Sequence, residues 1–422
     1  MAMEKIAIRG GVRLRGAVGI GGAKNAALPI MAAALLGDGP SRIRNIPRVA
    51  DIRTMADILS ALGASVEFPS AHEVVIDPRG LANPTAPYEL VRKMRASICV
   101  LGPLLGSIGR ARISLPGGCA IGARPIDLHL KGMERLGAVL RLSHGFIVAR
   151  GERMRGGEVF LGGRFGSSVL ATANVLMAAV KAPGISRIEG AASEPEMADL
   201  AAFLRKMGAR IKGIRTHSLE IEGVRRLKGA VHTIIPDRIE AGTFMIAAAI
   251  TGGEIELKGA RGDHLRAVID ALEAAGAGIA VRPGGVAVDG AGRRRVVDVT
   301  THPYPGFPTD LQAQMIALMT ISPGISVVTE KVFPERFMHV PELNRMAARI
   351  SLEGPSAIIT GVRCLSGAPV MASDLRASAA LILAGLVARG ETVVDRVYHI
   401  DRGYEAIEEK LKGVGAQIER LA

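Results

Sequence analysis

The first place in this chain where residue types and spacing could do chemistry is a lone cysteine in a glycine-rich stretch. Leu115-Pro-Gly-Gly-Cys-Ala-Ile-Gly-Ala-Arg-Pro-Ile-Asp-Leu-His129 sets Cys119 among glycines, with Arg124 five residues on and Asp127 opening the helix that follows. Glycine lets the backbone turn sharply and leaves amide hydrogens uncovered, so such a loop can hold an anion. A neighbouring guanidinium favours the thiolate and lowers the thiol pKa. The plainer reading is a surface turn around a small buried cysteine.

Cations recur in front of a second kind of element, a helix apolar on nearly every side. Lys24 stands before the first, in Gly21-Gly-Ala-Lys-Asn-Ala-Ala, and Arg95 before the second, in Met94-Arg-Ala-Ser. Arg164 lies ahead of the third, Arg238 ahead of the fourth, and Arg376 falls in the first turn of the sixth. A helix begins at the positive end of its dipole, so a cation there costs about 0.3–1 kcal/mol unless something offsets it. Five such helices point to a bound anion held by amides and cations together. Scattered surface residues are the alternative.

The fifth helix differs. It is preceded by Pro305-Gly-Phe-Pro-Thr-Asp310, and Thr309 or Asp310 would serve as an N-cap. Among cations, a single carboxylate is also a candidate general base, placed to take a proton from a substrate hydroxyl.

The elements that must position these residues repeat along the chain. A signature recurs six times at a spacing of about 70 residues. Its copies are Leu62-Gly-Ala-Ser-Val, Leu136-Gly-Ala-Val-Leu, Met207-Gly-Ala-Arg-Ile, Ala275-Gly-Ala-Gly-Ile, Met346-Ala-Ala-Arg-Ile and Val414-Gly-Ala-Gln-Ile. Each copy ends an amphipathic helical pattern, such as 52–62 or 265–275, and leads into a short alternating stretch that reads as a strand. The apolar helices are expected at 26–36, 97–105, 169–180, 242–250, 311–320 and 377–388, buried because no face is polar. Three units around their buried helices make a domain and six make two, with the change falling near Gly229–Pro236. The fold class is α/β.

Composition bounds the rest. Three widely spaced cysteines, Cys99, Cys119 and Cys364, offer no CxxC pair, which argues against a disulfide framework or a zinc site and for a reducing, cytoplasmic setting. The first residues carry no apolar leader segment, and no apolar run reaches the roughly 20 residues of a membrane span. The net charge of +13 invites nucleic acid, but the cations are dispersed and aromatics make up only 3%, so bases would find nothing to stack on. Arg293-Arg294-Arg295, the densest basic run, reads as a solvated hairpin end. Gly21–Asn25 lacks P-loop spacing, and no paired-histidine, HExxH or EF-hand pattern appears, so no metal or cofactor is expected.

Six stretches resemble the UDP-N-acetylglucosamine 1-carboxyvinyltransferases. They are Gly22-Ala-Lys-Asn-Ala-Ala-Leu-Pro-Ile30, the cysteine loop Pro116–His129, Gly306-Phe-Pro-Thr-Asp-Leu-Gln-Ala-Gln314, Glu335-Arg-Phe-Met-His-Val-Pro-Glu-Leu343, Asp374-Leu-Arg-Ala-Ser378 and Asp395-Arg-Val-Tyr-His-Ile-Asp-Arg-Gly-Tyr404. The resemblance runs from about Gly10 to the C-terminus. It implies two inside-out α/β domains, each of three repeats around buried helices. One would be discontinuous, 1–21 with 233–422, carrying Asp310, Arg336, Asp374, Arg376 and Arg402. The other would be 22–232, carrying Lys24 and the Cys119 loop.

It also implies transfer of the enolpyruvyl group of phosphoenolpyruvate to the 3-hydroxyl of UDP-N-acetylglucosamine, with release of phosphate, the committing step of bacterial peptidoglycan synthesis and so of cell-wall growth, cell shape and division. Small-molecule substrates, no cofactor, and no nucleic-acid, membrane or obligate protein partner follow from the same resemblance. Carried over by motif, Lys24, Asn25, Arg124 and Arg402 would hold phosphoenolpyruvate. Cys119 would protonate its methylene carbon, form a covalent phospholactoyl adduct, and be alkylated by fosfomycin. Asp310 would be the base, with Lys24 and Arg402 also catalytic. Arg95, Arg124, Pro125, Ile126, Asp127, Leu128, Asp310 and Val332 would line the sugar-nucleotide site, supported by Arg336, Asp374, Leu375 and Arg376. An ion pair between the halves is the alternative reading of Arg336 and Asp374.

Two departures fall on the expected nucleotide-sugar side. Leu170 stands where a glycine is usual and the basic residue is displaced to Arg164; Ser193 stands where an arginine is usual. The rivals are an enolpyruvyl transferase acting on shikimate 3-phosphate and a silent copy that binds nucleotide sugar without turnover. The cysteine loop and Arg336-Phe-Met-His speak against the first. The altered third repeat is the support for the second.

Overall fold

A computed structural model describes residues 4–115 and 126–421. Cys119, Arg124 and Pro125 therefore lie outside the described residues. The chain divides into two compact units, one of residues 4–21 with 236–421 (the C-terminal unit), the other of residues 22–115 with 126–235 (the N-terminal unit). The division expected at 232/233 falls instead at Ile235/Pro236, because the strand Val231–Thr233 pairs in parallel with Ser41–Arg44 and closes a sheet of the N-terminal unit.

Each unit is built on three helices buried on all sides. We label them α1 (Lys24–Ala33), α2 (Leu101–Ile108) and α3 (Val169–Ala179) in the N-terminal unit, and α4 (Arg238–Thr251), α5 (Gln312–Met319) and α6 (Leu375–Gly385) in the C-terminal unit. Alanine, leucine, isoleucine and methionine fill them, good helix formers whose bulk suits a core without tryptophan. Small residues also let the helices approach closely: a Cβ on Gly102 of α2 would lie 2.2 Å from the Asn174 carbonyl of α3.

Several of the six begin differently from expectation. The second opens as a 3-10 helix over Arg95–Val100, and Thr309–Leu311 makes a 3-10 turn ahead of α5. In the first case Pro103 has no amide hydrogen to give the carbonyl four residues back, which favours the tighter winding before it. The fourth helix, in contrast, starts a turn earlier than expected, because Asp237 caps it by accepting hydrogen bonds from the amides of Ile239 (2.7 Å) and Glu240 (3.1 Å).

Among the described residues, six four-stranded sheets of one pattern lie outside the helices, three per unit. In the sheet of Glu254–Lys258, for example, that strand runs parallel to Arg15–Gly19 and antiparallel to Gly285–Asp289, which pairs in turn with Gly278–Arg282. Alternate residues face the helices and solvent, as in the exposed-buried alternation of Glu254–Lys258. The N-terminal strand Lys5–Arg9 sits inside the sheet of the last repeat, antiparallel to both Glu391–Asp395 and Gln417–Leu421.

The repeated signature is a turn made by one residue in the left-handed region. Gly63, Gly137, Gly208, Gly276 and Gly415 have φ between 89° and 112°, and in the fifth repeat Ala347 takes φ 66°. Each follows an amphipathic helix and turns the chain into a strand. The Arg293–Arg295 run is not a hairpin end. It lies in the crossing loop after the strand Gly285–Asp289.

Candidate active site

Asp310 lies in the 3-10 turn ahead of α5, within reach of Arg336 of its own repeat and of Arg376 at the head of the next repeat's buried helix. Its Oδ1 accepts a hydrogen bond from Arg336 Nη1 at 2.9 Å, and its Oδ2 accepts one from Arg376 Nη2 at 2.8 Å. The two arginine side chains are 7% and 4% exposed, while that of Asp310 keeps 25%. Burial alone would raise the Asp310 pKa, but the charges and hydrogen bonds of Arg376 and Arg336 hold it well below the usual carboxylate range. Neither Thr309 nor Asp310 caps the helix, as their side chains are turned to these partners instead.

Behind Asp310 stands a residue that sequence reasoning missed. Glu330, fully buried at the end of the strand Ile325–Thr329, accepts four hydrogen bonds. Its Oε1 takes the amides of Val332 (2.7 Å) and Phe333 (2.8 Å) and the hydroxyl of Thr301 (2.7 Å); its Oε2 takes the hydroxyl of Thr309 (2.8 Å). Thr309 Oγ1 in turn accepts from Arg336 Nη1 at 3.0 Å. One carboxylate thus fixes the Val332 backbone, Thr309 and, through it, the guanidinium on Asp310. The only sequence signal was an acidic residue ending an otherwise apolar strand.

At the head of α6, Asp374 accepts from the amides of Arg376 (2.8 Å) and Ala377 (3.1 Å) as the N-cap. Arg336 and Asp374 both have partners within the C-terminal unit, Arg336 at Asp310 and Asp374 at the head of its own helix. Leu375 packs on Gly403, where a Cβ would meet its Cδ2 at 2.6 Å, beside Arg402 at the end of the 3-10 helix Val397–Arg402. Three buried helices meet at Tyr404: Thr243 Oγ1 of α4 lies 2.8 Å from Tyr404 Oη, and Gln314 Nε2 of α5 donates to both Thr243 Oγ1 and Tyr404 Oη at 3.3 Å. The Arg376 guanidinium lies 5.5 Å over the Tyr404 ring.

In the N-terminal unit Lys24 is the first residue of α1, and its Nζ donates to Asp51 Oδ2 at 3.1 Å, with both side chains largely buried. Asn25 follows it in the first turn. Arg95 opens its 3-10 helix, and Arg164 sits at the tip of a hairpin, Gly162–Gly163 with Gly166–Ser167, stacked 5.3 Å from the Phe165 ring. The protein's own carboxylates thus offset several of the helix-end cations: Asp51 for Lys24, the Asp237 cap beside Arg238, and Asp310 for Arg376. Charge at the helix ends does not by itself require a bound anion.

Ile126, Asp127 and Leu128 start the helix Asp127–Arg135, and Asn174 anchors it from behind. Asn174 Oδ1 accepts from the Gly102 amide (2.8 Å), while its Nδ2 donates to the Ile98 carbonyl (2.7 Å) and to His129 Nδ1 (2.9 Å). One buried amide therefore links the Arg95 helix, α2 and the Asp127 helix. Burial, with a contribution from Arg95, lowers the His129 pKa to about 4. The altered third repeat also touches this helix, since a Cβ on Gly163 would lie 3.1 Å from Leu128 Cδ1. Its Leu170 is half-buried in α3, and Ser193 is buried. Among the described residues no cluster of three or more histidine, cysteine or acidic side chains could hold a metal ion, and no helix is long and apolar enough to cross a membrane.

Comparison with known proteins agrees with this geometry. A family profile described as EPSP synthase (3-phosphoshikimate 1-carboxyvinyltransferase) matches residues 8–411. UDP-N-acetylglucosamine 1-carboxyvinyltransferases of Granulibacter bethesdensis and Carboxydothermus hydrogenoformans are 56% and 57% identical to the chain, each alignment covering 100% of both proteins. That of Myxococcus xanthus is 52% identical over 99% of each. Among solved structures, the enolpyruvyl transferase NikO from Streptomyces tendae superposes with a TM-score of 0.90 at 25% identity, covering 100% of this chain and 99% of that one. The EPSP synthase of Acinetobacter baumannii shares the fold with a TM-score of 0.74 at 17% identity over the full length of both. Six repeats on buried helices, an aspartate clasped by two arginines and full-length identity above one half lead to one conclusion: the chain belongs to the enolpyruvyl transferase family, among the UDP-N-acetylglucosamine 1-carboxyvinyltransferases.

Proposed function

We propose that the protein transfers the enolpyruvyl group of phosphoenolpyruvate to the 3-hydroxyl of UDP-N-acetylglucosamine and releases inorganic phosphate, in the cytoplasm, as the committing step of peptidoglycan synthesis. The observation that carries this reading is identity of 52–57% over the full length with relatives named for that reaction. The C-terminal unit would bring Asp310, Arg336, Asp374, Leu375, Arg376 and Arg402 to the reaction, and the N-terminal unit would bring Lys24, Asn25 and Arg95, with Arg124, Pro125 and the Cys119 loop.

In the reaction, the sugar oxygen bonds to C2 of phosphoenolpyruvate and its proton passes to Asp310, while Cys119 gives a proton to the C3 methylene. Loss of a C3 proton and of the phosphate then restores the double bond. Lys24, Arg124 and Arg402 would neutralise the phosphate and carboxylate, and Asn25 would place them. Arg95, Ile126–Leu128 and Val332 would hold the nucleotide sugar, Val332 through the backbone that Glu330 fixes. The clasp on Asp310 makes it an ionised but weak base, so proton transfer requires that substrate loosen one of its two arginine contacts.

The test is phosphate release from phosphoenolpyruvate with UDP-N-acetylglucosamine and, separately, with shikimate 3-phosphate. Release with the sugar nucleotide alone is expected. Release with shikimate 3-phosphate alone, or with neither, overturns the reading. Cys119→Ser should lose the proton donor and the site of fosfomycin alkylation together; full product formation by that variant would remove Cys119 from the mechanism.

A further inference from the structure

At the C-terminal ends of α4, α5 and α6, the C-terminal unit holds a cavity of about 800 Å³ that the proposed reaction does not use. Asp310 and Arg376 sit at the opposite, N-terminal ends of these helices. The 14 residues of α4 alone span roughly 21 Å at 1.5 Å per residue.

Three equivalent crossing loops, one from each repeat, form its rim. Each leaves a strand paired antiparallel on both sides, passes through a glycine and carries arginine: Gly11-Val-Arg13, Gly290-Ala-Gly-Arg-Arg294 and Gly361-Val-Arg363. Gly290 and Gly361 close directly on the helix ends below, since a Cβ on Gly290 would lie 2.2 Å from the Ala248 carbonyl and one on Gly361 1.7 Å from that of Ser322. Each loop also gives a donor to a helix end. The Gly11 amide bonds the Leu386 carbonyl (2.9 Å), the Val362 amide bonds that of Thr320 (2.7 Å), and Arg294 Nη1 bonds that of Ile250 (3.3 Å).

A purely structural role for the arginines would be to balance the helix dipoles. Three helix C-termini carry about −0.5 charge each, roughly −1.5 together, which leaves the four guanidinium charges in clear excess. No acidic residue lines the cavity, and among the described residues no carboxylate pairs with Arg13, Arg293, Arg294 or Arg363. Between the arginines lie Ile250, Leu386 and Val387, an apolar floor. Multiple forked donors favour a phosphate group, and a volume in the range of ordinary ligand pockets with an apolar floor favours an organic body attached to it.

We propose that this cavity is a second ligand site, which binds an organic phosphate of nucleotide size with at least two negative charges. The phosphate groups meet Arg13, Arg293 and Arg363, and the body rests against Ile250 and Leu386. The site is separate from the reaction proposed above and does not depend on it.

Cys364 is a reporter within the cavity wall, half-buried beside Arg363. In a Cys119→Ser background the other thiol is Cys99, which burial pushes up to about 12 and keeps unreactive. The experiment titrates ADP and inorganic pyrophosphate into that protein, measuring binding by calorimetry and the rate of Cys364 modification by a thiol reagent. ADP should bind saturably, more tightly than pyrophosphate, and slow Cys364 modification. Arg363→Ala and Arg13→Ala should each weaken ADP by about tenfold or more, the loss of one charge-assisted contact. Both side chains are exposed, and unchanged circular dichroism and melting of the variants would exclude misfolding as the cause. Absence of ADP binding at millimolar concentration, binding indifferent to both substitutions, or binding that leaves Cys364 modification unchanged would overturn the site. Equal affinity for pyrophosphate and ADP would overturn its nucleotide size.

Discussion

Arg376 Nη2 lies 2.8 Å from Asp310 Oδ2, joining the head of α6 to the turn before α5 in a contact whose arginine is almost completely buried. With Arg336 on the other oxygen, the carboxylate stays ionised at any working pH, yet the same contacts reduce its appetite for a proton. The arrangement favours orientation over basicity. It also places this carboxylate under the control of residues 26 and 66 positions away in sequence.

Removing one clasp should strengthen the base. In Arg376→Gln the Asp310 pKa is expected to rise, because burial persists while the larger favourable charge is gone. With Asp310 as the proposed base, turnover needs it ionised, so the acid limb of the kcat–pH profile should move to higher pH, whatever happens to the maximal rate. An acid limb that stays in place in Arg376→Gln would show that Asp310 is not the group titrating there.

Glu330→Gln tests the hub behind the site. The carboxylate accepts three hydrogen bonds on one oxygen and one on the other, and an amide must turn a donor toward one of these donor sets. A buried mismatch of this kind costs about 1–3 kcal/mol. Thermal denaturation should register that loss, and steady-state kinetics should show a larger effect on kcat than Thr301→Val, which removes a donor without releasing Thr309 or Val332. Equal kinetics in the two variants would confine Glu330 to a structural role.

The sequence revealed the repeats because their turns depend on local chemistry, a glycine after an amphipathic helix, written nearly the same way each time. It revealed Asp310 as the odd residue among cations for a similar reason, since composition at a helix start is local. The partners that decide its behaviour were not legible. Arg336 reaches it from 26 residues on in its own repeat and Arg376 from the next repeat, and Asn174 acts through three neighbours 45 to 76 residues distant. Lys24 is legible as a cation at a helix start, but its carboxylate Asp51 belongs to the next helix, and periodicity cannot pair side chains across elements.

The one irregular copy of the signature makes a stability prediction. Ala347 holds φ 66°, a region in which an L-residue with a Cβ is strained by about 1–2 kcal/mol. Its side chain is exposed and loses little on removal. Ala347→Gly should therefore stabilise the C-terminal unit, by a few tenths to about 1 kcal/mol after the added freedom of the unfolded chain is counted. Urea denaturation would show a raised midpoint. The reverse change at an equivalent turn, Gly415→Ala, should lower it, because φ there is 98° with open space around the missing Cβ, so only backbone strain is introduced.

Acid should loosen the N-terminal unit before it protonates carboxylates. Asn174 has its orientation set by the Gly102 amide and the Ile98 carbonyl, so it can only donate to His129 Nδ1, and protonating that nitrogen would set two donors against each other. Burial and Arg95 accordingly lower the histidine from 6.5 to about 4. A depressed folded-state pKa means the unfolded chain binds the proton first. Stability is then full above pH 6.5 and falls, by about 1.4 kcal/mol per pH unit, until the pH reaches about 4. In the C-terminal unit His339, buried and lowered to about 4, adds a similar slope over the same window. Asp310 contributes nothing there, since its depressed pKa costs stability only as pH falls below the ordinary carboxylate value of 3.8. Between pH 7 and pH 5 the urea midpoint should drop in the native chain and drop less in His129→Gln, whose side chain can still accept from Asn174 but takes up no proton. Parallel losses in the two proteins would show that the acid sensitivity of the fold lies outside the Asn174–His129 contact.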